Sequence, residues 1–222
     1  MSILTLDSLQ RLWPHGNQHV PGLLEGIATA ADSVLPEYFP VNTGHVTAYF
    51  MANCQVECGS GLEMRENMNY TAQRLLEVFP SHFSPSLAAR AAHNPEMIAE
   101  IAYGGRMGNK PPPSTDGWLY RGGGLTNCTG RNGYAALQKW LDDNAIDLDV
   151  LGNPDLTCEP STALMCGVGD FILCGCLPHA VEGDFVATCA VLNVGHVVPA
   201  SKINGYSDRL HALSQWKREL GV

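Results

Sequence analysis

Proline and glycine cut this chain into short pieces, and nearly every piece carries apolar residues at helical spacing, so the expected fold is mainly α-helical. Leu4, Leu6, Leu9 and Leu12, then Leu23, Leu24, Ile27, Ala28 and Ala31, recur at helical intervals, separated by Pro14, Gly16 and Pro21. They predict two opening helices. The stretch "VLPEYFPVN" interrupts the second, and Thr43 is placed to cap a third helix over about 44–58. The glycines of "CGSGL" end that helix, and "NYTAQRLLEVF" resumes helical spacing up to Pro80. Further helices are expected over 84–92, 95–103, 130–144, 160–175, 183–192 and 205–219. Alternating β-branched runs are scarce, which leaves room for no more than a small β-hairpin.

At 222 residues the chain suits one domain over 1–222, with a helical N-terminal part over 1–44. Hydrophobic residues at 45% against 16% charged are enough to bury a core rather than leave the chain disordered. The net charge of -9 and the scattered Lys and Arg exclude the clustered basic face that nucleic acid requires. A neutral or weakly charged substrate and a monomer fit better. No window approaches the ~18 apolar residues of a membrane span, so no stable membrane insertion is expected. The opening residues lack a basic start followed by an apolar run, so the chain is expected to be made in the cytoplasm without a signal peptide. On that basis the eight cysteines read as mostly free, buried thiols. Cys174-Gly-Cys176 is one residue short of the C-x-x-C zinc spacing, and neither a metal nor a cofactor is assigned.

Residues 103–125 are rich in glycine and contain three consecutive prolines, too irregular for a helix and too long for a simple connector. Tyr103, Trp118 and Tyr120 together with Arg106 and Arg121 predict an ordered binding loop, because sugar rings offer apolar faces to aromatics and hydroxyls to forked donors.

Against this sparing use of charge, "VECGSGLEMRENMNY" puts Glu57, Glu63 and Glu66 close together. Glu57 ends a mostly apolar helix, and a carboxyl against an apolar wall keeps a proton for donation to a leaving oxygen. Glu66 lies among Arg65, Asn67 and Asn69, polar neighbours suited to the ionised form that a base needs. On a continuous helix the two would stand ~13 Å apart. The Gly59-Ser60-Gly61 break lets the chain fold back and allows the roughly 6.5–9.5 Å of an inverting acid/base pair. Composition alone favours solvated carboxylates over an acid/base pair, and Glu63, with no distinguishing context, is read as a surface residue.

Four stretches, "ECGSG", "ENMNYTAQRLLEVFPSHF", "IAYGGRMGN" and "DGWLYRGGGLTNCTGRNGY", occur in an order and spacing that resembles the glycoside hydrolase family 19 catalytic domain, in particular its compact bacterial and phage members. The resemblance spans about 45–210. It implies a lysozyme-like, two-lobed α-helical fold with a substrate cleft and inverting attack on a β-1,4 bond to an N-acetylhexosamine. It also implies that Glu57 is the general acid, Glu66 the general base, and Thr129 the hydroxyl that helps hold the attacking water. Asn127 stands where the family usually has Gln; Asn193 in "VLNVG" and Arg209 in "YSDRLHAL" match a cleft Asn and a late Arg near the carboxylates. Tyr70, Arg121, Gly122 and Asn132 are implied cleft residues. This chain departs from the pattern at Val56, Gly123 and Asn127, and none of these removes a carboxylate.

Thr129 also suits a helix start, Asn193 a turn before Gly195, and Arg209 an ordinary ion pair with Glu57, Glu66 or a structural acid. The expected substrate is the peptidoglycan glycan strand, cut by a phage-type endolysin that acts on the cell wall after release. Chitin is the alternative. A glycan-binding protein without turnover and a lytic transglycosylase that works with Glu57 alone are the competing activities.

Overall fold

The computed structural model describes residues 3–222. Its helices are α1 (Leu6–Leu12), α2 (Leu23–Tyr38), α3 (Thr43–Glu57), α4 (Ala72–Val78), α5 (Pro85–Ala91), α6 (Pro95–Tyr103), α7 (Asp116–Leu119), α8 (Gly130–Asp143), α9 (Ala163–Leu173), α10 (Cys176–Glu182), α11 (Phe185–Val194) and α12 (Tyr206–Leu220). Their starts follow local chemistry. Thr71, Ser84 and Asn94 each accept a hydrogen bond from the backbone N–H three residues on, opening α4, α5 and α6. Pro85 and Pro95 occupy first-turn positions, where a missing N–H leaves nothing unpaired.

Of four hydrophobic clusters among the described residues, two mark the two lobes. The larger gathers α1–α3 and α9–α12, and residues 46–54 of α3 are buried without interruption, so that helix is surrounded rather than one-sided. Gln55 ties three helices together: its Oε1 accepts from Trp13 Nε1 (3.2 Å) and Trp216 Nε1 (2.8 Å). The smaller core gathers Met68, Leu75, Phe83, Ala88, Ile98 and Ala102 from α4–α6 and the segment before them. Helix α8 packs on α9 of the large lobe and touches α7 of the small one. Among the described residues no single helix is long and apolar enough to cross a membrane. All eight cysteines are free thiols, seven of them buried.

Several expectations change. No strand or hairpin forms among the described residues; only two isolated antiparallel bridges, Arg65 with Gly123 and Gly123 with Cys128, mark the place. Helix α2 does not stop at "VLP" but continues through Pro36 to Tyr38, because a proline in the last turns removes a single N–H and Val34, Leu35 and Phe39 remain buried. Thr43 is the first residue of α3 rather than its cap; Asn42 precedes it with φ 51°, and the Thr43 hydroxyl donates back to the Phe39 carbonyl (2.7 Å). The predicted loop over 103–125 contains α7, and α10 intervenes where no helix was expected.

Candidate active site

Helix α3 ends at Glu57 because the next turn needs backbone few side chains tolerate: Gly59, Ser60 and Gly61 all have positive φ. Gly61 also passes so close to Gly16 that a Cβ there would lie 2.9 Å from the Gly16 carbonyl oxygen. The chain reverses and runs beside the 122–128 segment: Glu66 N–H donates to the Gly122 carbonyl (2.9 Å) and Gly124 N–H to that of Met64 (2.9 Å). The break therefore brings Glu57, Glu63 and Glu66 to one hollow of about 200 Å³, completed by Asn67, Tyr70 and Asn127. Glu63, expected merely on the surface, is exposed and also lines this hollow.

The two outer carboxylates are held differently. Arg209 Nη2 donates to Glu57 Oε1 at 2.5 Å, while its Nη1 donates to Asn53 Oδ1 (2.7 Å) and its Nε to the Asn204 carbonyl (3.1 Å). Arg209 is 1% exposed. A buried guanidinium, not the expected apolar wall, is thus the partner of Glu57, and Oε2 is left outside that ion pair. Glu66 takes neutral donors, the Tyr103 hydroxyl to Oε1 (2.7 Å) and the Gly122 N–H to Oε2 (3.2 Å). Burial first, and then the Glu66 charge, push the Tyr103 phenol far above its ordinary range, so it stays a donor. The neighbours expected to serve Glu66 do not. Arg65 turns to Asp155 (2.6 Å) and the Tyr134 hydroxyl (2.8 Å), and Asn67 Oδ1 accepts from the Asn69 N–H (2.9 Å).

A second hollow of about 370 Å³ adjoins Glu57 and is lined by Thr126, Asn127, Thr129, Asp170 and Asn193 among others. Asn127 faces both hollows, and its φ of 60° is one that Asn accepts more readily than most residues. Thr129 opens onto the second hollow with Glu57, and Glu66 does not line it. It precedes α8 without a side-chain cap; its hydroxyl donates to the Asn127 carbonyl (2.7 Å). Asn193 Oδ1 accepts from the Asn204 N–H (2.9 Å), and the carbonyl of Asn204 receives Arg209, which links this residue to Glu57.

Tyr70 lines the first hollow, edge-on to Phe79 with ring centroids 5.8 Å apart. Gly122 lines neither hollow but is required beside both: a Cβ there would stand 2.0 Å from Asn127 Oδ1. Arg121 also lines neither. Its guanidinium stacks on Trp118 at 3.5 Å and donates to the Trp118 carbonyl (2.8 Å). Asn132 is exposed on the first turn of α8, its N–H donating to the Met107 carbonyl, away from the carboxylates.

Three residues not assigned a role at the carboxylates stand close to them. Asn53 lies four positions before Glu57 on the same helix face, a spacing that offered a signal. Tyr103 ends α6 rather than entering a loop, and nothing local points it at Glu66. Asp170 is a lone charge in the apolar run "MCGVGDFILCG", which marks a buried polar group with a purpose.

No family model matches the chain. A curated protein of Haemophilus influenzae (strain ATCC 51907 / DSM 11121 / KW20 / Rd), described as a glycosyl hydrolase family 19 domain-containing protein, is 37% identical over 142 residues, 64% of this chain and 70% of that protein. Among solved structures, chitinase C from Streptomyces griseus HUT6037 is similar with a TM-score of 0.58 at 16% identity, covering 100% of this chain and 94% of that one. A bacterial family 19 chitinase is similar with a TM-score of 0.55 at 16% identity, covering 99% and 96%. At that identity the two structures speak for the fold, lysozyme-like and mainly α.

Proposed function

Because this chain belongs to glycoside hydrolase family 19 and is a glycoside hydrolase, we propose that it cleaves β-1,4 bonds between N-acetylated aminosugars, with Glu57 as general acid and Glu66 as general base. The observation that carries the reading is that both carboxylates line one hollow while being held by different partners. Glu57 gives a proton from Oε2 to the glycosidic oxygen. Glu66, accepting from Tyr103 and Gly122, takes a proton from a water that attacks the anomeric carbon from the opposite face, inverting it. Thr129, Asn127 and Asn193 supply polar contacts to the sugar on the Glu57 side. Tyr70 offers a ring edge beside the scissile bond.

The substrate we propose first is the peptidoglycan glycan strand, which makes the protein a wall-lytic enzyme of endolysin type. Chitin is the second reading, and a specific observation favours it: the first hollow presents three carboxylates, which suits a neutral polymer better than one bearing anionic peptides. Purified peptidoglycan and soluble chitin oligomers, incubated separately and analysed by mass spectrometry, distinguish the two. Reducing-end wall fragments support the first reading, and cleavage of chitin oligomers alone replaces it with the second. Binding to both without products leaves a glycan-binding protein and overturns the hydrolytic proposal for these substrates.

A further inference from the structure

Asp170 projects from the apolar helix α9 into the hollow that also holds Glu57, Thr129 and Asn193, and it is 8% exposed. Its Oδ2 accepts from the Thr126 hydroxyl at 2.6 Å. The other side chains around the hollow are neutral apart from Glu57: Thr126, Asn127, Cys128, Thr129, Cys174, Leu192 and Asn193. No Lys or Arg lines it. The nearby Arg209 already directs its three donor nitrogens at Glu57, Asn53 and the Asn204 carbonyl. A carboxylate offers about four acceptor positions, so a buried one served by neutral donors and no cation is incomplete.

We propose that Asp170 makes this hollow a binding site for a sugar whose C2 nitrogen is a free ammonium, an N-deacetylated aminosugar. The inference rests on the reading that an aminosugar polymer occupies the cleft, and it deepens that reading by naming a substituent. An ammonium brings a positive charge and three N–H donors to the one charged group of the hollow that has no ionic partner. An acetamido group brings one N–H and a methyl that a polar floor does not reward. Burial pushes the Asp170 carboxyl upward, only partly offset by the hydrogen bonds of Thr126 and Cys128 and reinforced by the negative charge of Glu57, and a cation would relieve it. Glu63 and Glu66 on the adjoining hollow add to the negative potential that draws a cationic sugar in.

The test is calorimetric binding of glucosamine trimer, N-acetylglucosamine trimer and cellotriose, all β-1,4-linked, to the wild-type protein and to Asp170→Asn. Asn keeps the oxygen that accepts from Thr126 and removes the charge. The glucosamine trimer is expected to bind the wild type, and to lose about tenfold or more in affinity in Asp170→Asn because a charge-assisted contact is gone. The acetylated trimer is expected to change by less than about threefold, since it makes no charged contact there. Cellotriose, which lacks the nitrogen, is expected not to bind. Equal affinity of the glucosamine trimer for both proteins overturns the inference. If Asp170→Asn does not fold, the wild type decides alone: glucosamine trimer binding no better than cellotriose overturns it. Fragments of N-deacetylated peptidoglycan run beside chitosan oligomers assign the source; preference for either over its acetylated form supports the site, and preference for neither sinks it. Failure of the underlying reading looks different, as none of the acetylated glycans is then bound or cut.

Discussion

Glu57 belongs to the large lobe and is held by charge, through a buried Arg209 that Asn53 and the Asn204 carbonyl complete; Glu66 meets the small lobe and is held by neutral donors, the Tyr103 hydroxyl and the Gly122 N–H. The difference is one of cost on removal. A buried ion pair that loses one partner leaves a desolvated charge behind, whereas a carboxylate on an open hollow that loses a neutral donor can turn to water. The Glu57 side is therefore part of what holds the large lobe together, and the Glu66 side can be altered with little effect elsewhere. A single cleft combines a rigid wall with a separately adjustable one.

The largest expected effect ignores that difference. Glu57→Gln and Glu66→Gln each remove a proton-transfer group and should each lower turnover by about 10²–10⁴-fold, the first also lowering stability because it leaves the buried Arg209 without its carboxylate; initial rates on a soluble oligomer, taken where each variant is folded, check this, and near-normal rates in both would remove the acid/base assignment. Stability then separates the two sides. Arg209→Met strands Glu57 and Asn53 and should cost about 3–5 kcal/mol in urea unfolding; a loss below ~1 kcal/mol would mean that the network is not the support described. Tyr103→Phe should cost only about 1 kcal/mol, yet slow turnover, because Glu66 loses the donor that aims it. A Tyr103→Phe loss as large as that of Arg209→Met would erase the contrast.

The smallest effect concerns Asp170, whose carboxyl burial pushes upward. An acid with a raised folded pKa adds stability that is full in acid, below its unfolded value, and is lost as pH rises through the folded one. Asp170→Asn, fixed in the neutral form, should match the wild type at low pH and exceed it near neutrality. Unfolding followed against pH reads this directly, and a gain that does not grow with pH contradicts it.

Much of the architecture was legible because its signals are local. Helix α6 was placed at its observed bounds, with Asn94 and Pro95 opening it and Gly104 closing it. The end of α9 was placed, but α10 was missed because a single glycine, Gly175, with φ 78°, makes the whole turn and the next helix starts at once inside the same apolar run. Pro36 read as a stop because a sequence does not show that Val34, Leu35 and Phe39 stay buried around it. The site divides the same way. Glu57 and Glu66 were visible from the glycine break and the motifs around them. Of their partners, Arg209 was foreshadowed by the late Arg of "YSDRLHAL" although it lies 152 residues from Glu57, whereas Tyr103, 37 residues from Glu66, was not, because only packing brings the two together. Arg121 was expected at the sugar because forked donors suit hydroxyls; what the sequence did not show is that its guanidinium stacks on Trp118, three residues before it.

The anomeric form of the first product, followed by proton NMR during cleavage of a soluble β-linked aminosugar oligomer, tests the pairing of Glu57 with Glu66 most directly. Attack by a water that Glu66 activates, opposite the bond that Glu57 protonates, releases the α-anomer first. A β-anomer first, or an anhydro-sugar end, would contradict the account.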